Sequence, residues 1–310
     1  MRDISLALGG GGVKGIAHIG VIHVLEQAGF KIKAIAGTSI GALVGSIYAA
    51  GYSSDDILNL SIELSQTSRF KIFGRREHDA PSLLGYAGLA EMLTQILGKR
   101  KFNDLKIPFA CSAVDLNSSR EAWFRSGKVI DAVLASIAIP GIFPPKQLGS
   151  ALLVDGGVSN PVPVNLARML SPGTPVVAVV LSPASSEWKP EERSSLASMT
   201  PIHNPIIVNL SRLRIGQSLE IIARTVEIVS KNVTELRLTL ENPEYIIRPD
   251  VSKYGMLDNV DADEVYMLGR AAARAYLPTL EKENRKLFPR LFLPRKSKPM
   301  PADTIELMSN

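Results

Sequence analysis

Two glycine-rich turns near the start of the chain, Gly10-Gly11-Gly12-Val13-Lys14-Gly15 and Gly37-Thr38-Ser39-Ile40-Gly41, carry the residue types of an anion cradle and a serine nucleophile. The second fits GxSxG, in which small residues at Gly37 and Gly41 let the backbone bend sharply and leave the Ser39 hydroxyl exposed. Gly10, Gly11 and Gly12 have no Cβ, so their N–H groups can approach an anion closely and form a nest for a developing oxyanion. Ser39 also stands at the amino end of a helix expected to start near Ile40, where unpaired N–H groups and the helix dipole favour negative charge. Far downstream, Asp155-Gly156-Gly157 offers a carboxylate in a tight turn. Acyl transfer to a serine needs an exposed nucleophile, donors for the oxyanion and a route for the hydroxyl proton, and these three turns can supply all of them. In the chain order of an α/β-hydrolase triad a histidine would follow the acid. Only His203 does, bracketed by Pro201 and Pro205, while His18 and His23 fall in the first helix and His78 in a later polar stretch. A direct Ser39–Asp155 dyad is the more economical reading. It requires a site that excludes some water, which would raise the carboxyl pKa and make it a better base.

Each turn alone has other meanings. The glycine loop also fits a dinucleotide fingerprint, which asks for an acidic residue about twenty positions on, at the end of the second strand. Here Ile32-Lys33-Ala34-Ile35-Ala36 runs into Gly37 without one. A phosphate-binding P-loop fails as well, because Lys14 precedes Gly15 and no Ser or Thr follows it. Lys14 is expected to orient the loop or to be a solvated charge, and Asp155-Gly156 by itself is a common turn.

The elements that must hold these residues follow from periodicity. Ile4–Leu8 reads as a strand, Ile16–Ala28 as a helix, Ile32–Ala36 as a second strand and Ile40–Ala50 as a second helix closed by Gly51. Two successive βα units predict a parallel sheet with helices on both faces. Residues 53–106 change character, with helices at Asp55–Ser65 and Tyr86–Leu97 around a basic stretch at Arg69–Asp79, and are expected to form a cap over the site with a mobile loop at Gly74–His78. The sheet resumes at Pro108–Val114, which Glu121–Phe124 is expected to pair, and Val129–Ala138 is helical up to Pro140. Ala151–Val154 delivers Asp155, Asn160-Pro161-Val162-Pro163 leads rigidly into another helix, and Val176–Leu181 is a buried strand. Ile215, Leu219, Ile222, Val226 and Val229 mark an amphipathic helix, Tyr245–Ile247 a late strand, and Asp261 with Glu264 the cap of a helix reaching about Glu283.

With 310 residues, 45% hydrophobic and 21% charged, the chain has the composition of a globular protein, read as one domain over 1–286 and a basic, apolar tail over 287–310. A single cysteine, Cys111, rules out an internal disulfide and a cysteine metal cluster within one chain, and its apolar surroundings predict burial. The net charge of +5 suits contact with an anionic lipid surface without requiring it. Nothing resembles a zinc finger or helix-turn-helix, so no nucleic-acid partner is expected. The chain enters a strand pattern at once, with no apolar segment long enough for a leader or a membrane span, which predicts a cytoplasmic protein with peripheral membrane contact as an option for the tail. No spacing suggests a calcium loop or zinc site, so neither metal nor other cofactor is expected.

The glycine loop, Ser39 in GxSxG and the Asp155-Gly156-Gly157 turn, in this order, resemble the patatin-like phospholipases, lipid acyl hydrolases with a serine and aspartate dyad. Gly10, Gly12, Lys14 and Gly15 match that family's GxGx[KR]G oxyanion loop. Ser136-Ile137-Ala138-Ile139-Pro140-Gly141-Ile142-Phe143-Pro144-Pro145 and Asn160-Pro161-Val162-Pro163 look like the segments bordering the site in its bacterial members. The likeness extends from about Ile4 to Leu170 and more weakly to about Leu280. It implies a three-layer α/β/α sandwich with a mainly parallel sheet, akin to cytosolic phospholipase A2. It also implies hydrolysis of phospholipid or lysophospholipid acyl esters with Ser39 as nucleophile and Asp155 as base. A lipid acyltransferase using the same acyl-enzyme and a catalytically silent membrane-surface module are the alternatives.

Overall fold

The computed structural model describes residues 2–66, 85–188, 214–287 and 305–306. In chain order the strands are β1 (Asp3–Leu8), β2 (Lys31–Thr38), β3 (Phe109–Asp115), β4 (Arg120–Phe124), β5 (Lys146–Leu148), β6 (Ala151–Asp155), β7 (Val176–Val179), β8 (Tyr245–Ile247) and β9 (Ile305–Glu306). The helices are α1 (Ile16–Gln27), α2 (Ile40–Ala49), α3 (Ser54–Gln66), α4 (Ala87–Leu97), α5 (Val129–Ser136), α6 (Val164–Leu170), α7 (Arg214–Glu241) and α8 (Ala262–Leu287).

The nine strands among the described residues join one sheet. Its centre, β8-β7-β1-β2-β3, is parallel throughout, as the βα alternation predicts. β4 and β6 are both antiparallel to β3. Side-chain alternation along β1 sorts the core into two layers. Leu6 and Leu8 pack with α1, α2 and the described parts of α3, α4, α5 and α8, while Ala7 between them faces the opposite cluster with α6 and Leu238 of α7. That second face is paved with Ala7, Ala36, Ala110 and Ala178, whose small side chains let Val162, Val164 and Leu166 settle close to the strands. The result is a three-layer α/β/α sandwich.

Several expectations are refined. β2 runs on through Gly37 to Thr38, because both residues pair with β3. α5 stops at Ser136, short of Ala138, and a tight turn carries the chain to Pro140, which disfavours helical backbone at the residue before it. Of the stretch 53–106 expected to cap the site, α3 and α4 are built into the main core through Ile57, Leu89, Leu93, Ile96 and Leu97. Residues 67–84, with the Gly74–His78 loop, lie outside the described residues, as does nearly all of the tail. In α7 the expected apolar stripe is split: Val226 lines the cleft, whereas Ile222 and Val229 are 46% and 42% exposed. The side of this helix that faces inward carries Val226, Glu227, Ser230, Lys231 and Thr234. Among the described residues no helix is long and apolar enough to cross a membrane.

Candidate active site

The register of β3 brings the distant motifs together. Cys111 and Ser112 pair with β2 on one side and with β4 on the other, and Ala113 pairs with β4 and with Asp155 of β6. A strand has two edges, so β2 and β6 share one of them and approach it from opposite ends. β2 ends at Thr38 opposite Ser112, and β6 ends at Asp155 opposite Ala113. The residue after β2 and the last residue of β6 therefore meet head to head, although 116 positions separate them. Buried hydroxyls fasten the junction: Thr38 Oγ1 donates to the Asn160 carbonyl at 2.7 Å and lies 2.7 Å from Ser112 Oγ.

Ser39 occupies the sharp turn between β2 and α2 with φ 56° and ψ −125°, a left-handed conformation that costs on the order of 1–3 kcal/mol for a residue with a Cβ. The turn is held from outside, since the Ser39 N–H donates to Ser136 Oγ at 2.9 Å. Close packing of α2 on the end of β1 needs Gly41, where a Cβ would stand 2.1 Å from the Leu8 carbonyl oxygen. Ser39 Oγ donates to Asp155 Oδ2 at 2.5 Å, and Asp155 Oδ1 accepts the Gly157 N–H at 2.7 Å. Burial pushes the Asp155 carboxyl up to about 6, against the opposing pull of the bonds from Ser39 and Gly157. The carboxylate is thus a stronger base than a solvated aspartate and is still ionised near neutral pH.

The glycine loop differs from expectation at one residue. The Gly10 N–H donates to the Pro161 carbonyl at 2.9 Å, so Gly10 ties the loop to the Asn160–Pro163 segment and its amide is not free for an oxyanion. Among the described residues the Gly11 and Gly12 N–H groups make no such bond, and Gly11 lines the cleft beside Ser39. Gly12 has φ +60°, and a Cβ there would lie 1.9 Å from the Met256 carbonyl oxygen, so only glycine fits. Gly15 closes the loop, Gly37 sits in β2, and Gly156 and Gly157 form the turn that presents Asp155.

Neither of the two described histidines, His18 and His23, joins Ser39 and Asp155. His18 is fully buried, held neutral with its pKa lowered to about 4 by burial, and donates from Nε2 to the Gly9 carbonyl at 2.7 Å. His23 contacts Ser54 and Asp55. His78 and His203 lie outside the described residues. Among the described residues, then, the Ser39 hydroxyl has a carboxylate and no histidine as its partner. Cys111 is buried as expected, and burial pushes its thiol pKa up.

Ser39 and Asp155 line a narrow cleft that is open to solvent on one side. Ile139, Val162, Val180, Leu181, Val226 and Met256 give it apolar walls. Lys14, Glu227, Ser230 and Lys231 give it a polar side. Lys14 is not a solvated charge; its side chain is 7% exposed and pairs with Glu227 at 3.5 Å. α7 escaped the sequence reading of the site, although its contributions fall at helical spacing: Val226, Glu227, Ser230, Lys231 and Thr234. A second missed cluster braces the site from behind. Glu121 accepts from Arg237 at 2.7 Å, from Asn160 at 2.5 Å and from Trp123 at 2.6 Å, and Arg237 also donates to the Ser159 carbonyl at 3.0 Å. No local pattern links Glu121 to Arg237, so only the fold reveals it.

A family model described as patatin-like phospholipase matches residues 6–168. An uncharacterised NTE family protein of Mycobacterium tuberculosis is 37% identical over 161 residues, covering 52% of this chain and 44% of that protein. Lysophospholipase nte1 of Emericella nidulans is 29% identical over 316 residues, covering 96% of this chain and 20% of that protein. The chain thus spans less than half the length of these curated relatives. Among solved structures, VipD from Legionella pneumophila aligns over 90% of this chain and 67% of its own at 12% identity, with a TM-score of 0.47.

Proposed function

Since this chain belongs to the patatin-like phospholipase family, we propose that it hydrolyses acyl esters of phospholipids or lysophospholipids through an acyl-Ser39 intermediate, with Asp155 as general base. Ser39 Oγ attacks the ester carbonyl while its proton passes to Asp155 Oδ2. The oxyanion is taken by the Gly11 and Gly12 N–H groups, with the amino end of α2 adding its dipole. Collapse of the tetrahedral intermediate expels the lipid alcohol, which leaves with the proton from Asp155. Water then attacks the acyl-serine and gives its proton to Asp155. Asp155 returns it to Ser39 Oγ as the fatty acid departs. The observation that carries the reading is the 2.5 Å contact between Ser39 Oγ and a buried carboxylate whose pKa lies near 6. Apolar cleft walls suit an acyl chain, and the exposed Ile221, Ile222, Ile228 and Val229 on α7 support approach to an aggregated lipid.

The test is release of fatty acid from lysophosphatidylcholine by the purified chain and by Ser39→Ala. The wild type is expected to release it and the variant to fall to background. Undiminished release by Ser39→Ala would dismiss the proposal.

A further inference from the structure

Lys14 presents an unusual arrangement for a buried cation. Its side chain is 7% exposed, yet Glu227 Oε1, with which it pairs, stands at 3.5 Å, beyond the usual range of an N–H···O bond. Lys231 Nζ approaches the same oxygen at 3.7 Å with its side chain 16% exposed. The two ammonium groups come from elements far apart in sequence, the glycine loop and α7, and both line the cleft that holds Ser39 and Asp155. Ser230 lies beside them on the cleft wall. The row thus sets two ammonium groups around one carboxylate oxygen, a locally net positive stretch of a cleft wall that also carries Ile139, Val162, Val180 and Leu181. An anion that comes closer to Lys14 than Glu227 does gains from that setting, because a charge-assisted bond is stronger where water is excluded. A phosphodiester supplies the negative charge together with acceptor oxygens able to reach both lysines.

We propose that the Lys14–Glu227–Lys231 row is the headgroup subsite of the cleft and binds the phosphodiester of a glycerophospholipid, so that the enzyme prefers phosphate-bearing acyl esters to neutral glycerides. This rests on the acyl hydrolase reading above. Glu227 holds the two lysines in the cleft when it is empty and limits their combined charge when the phosphate is bound. α7 lies beyond residues 6–168, so this selectivity is supplied by a part of the chain outside the matched family model.

The experiment compares lysophosphatidylcholine with a monoacylglycerol of the same acyl chain, using the full chain as wild type, Lys231→Gln, Lys231→Arg and Glu227→Gln. Loss of one charge-assisted contact predicts that Lys231→Gln lowers the ratio of kcat/KM, phospholipid over glyceride, by about tenfold or more, chiefly through KM. Lys231→Arg should restore most of the ratio, and Glu227→Gln should raise it. Equal losses on both esters in Lys231→Gln, or an unchanged ratio, would overturn the subsite while leaving hydrolysis intact. A wild type inactive on both esters would instead overturn the hydrolase reading, and the subsite with it.

Discussion

Replacing Asp155 by asparagine removes the proposed base and a buried negative charge in one step, so activity and stability should move in opposite directions. The folded carboxyl has its pKa at about 6, against an ordinary value of 3.8, because burial disfavours the ionised form. At about 1.36 kcal/mol per unit, keeping Asp155 ionised in the folded state costs about 3 kcal/mol above neutral pH. The sign follows from the raised pKa. Below the unfolded value both states are protonated and nothing is lost; as pH rises through 3.8 and then about 6, the unfolded chain ionises more readily and stability declines to a plateau. The asparagine side chain keeps the shape without the charge and escapes that decline. For a chain of 310 residues, about 3 kcal/mol corresponds to roughly 5 °C in Tm. Thermal melts from about pH 4 to about pH 8 should therefore show Asp155→Asn melting roughly 5 °C above wild type at the alkaline end, with the gap closing toward the acid end. Hydrolysis should fall by about 10² to 10⁴. A variant less stable than wild type at pH 8, or a gap indifferent to pH, would refute the reasoning about the buried carboxylate.

Three other outcomes are expected. In wild type, kcat/KM should fall tenfold per pH unit below an apparent pKa of about 6, as the base is lost to protonation; a limb near 4 would mean a solvated carboxylate. Gly12→Ala forces a Cβ toward the Met256 carbonyl at φ +60° and should cut kcat by about 10² to 10³ while the circular dichroism spectrum stays native. Glu121→Ala leaves Arg237, Asn160 and Trp123 without a shared acceptor and should lower stability by about 3 kcal/mol in urea denaturation, whereas a change below about 0.5 kcal/mol would show that the cluster braces nothing.

What was legible in the sequence is what local chemistry dictates. The βα alternation pointed to the parallel centre of the sheet, and GxSxG with the Asp-Gly-Gly turn pointed to the two residues that the structure places 2.5 Å apart. Their meeting could not be read locally, because it depends on β2 and β6 sharing one edge of β3 from opposite directions. Gly10 illustrates a different limit. Its residue type suits an oxyanion donor, but its amide is taken up by Pro161, which is far away along the chain and invisible to any motif. α7 was legible as a helix from its spacing, yet which face turned inward was decided by the cleft. The polar positions Glu227, Ser230 and Lys231 point in, and Ile222 and Val229 are left exposed.

The most direct measurement is covalent trapping by a fluorophosphonate probe followed by peptide mass spectrometry. A single adduct on Ser39 is expected in wild type, slowed by orders of magnitude in Asp155→Asn and absent in Ser39→Ala. Labelling at another serine, or equal labelling rates with and without the Asp155 carboxylate, would contradict the claim that this pair performs the chemistry.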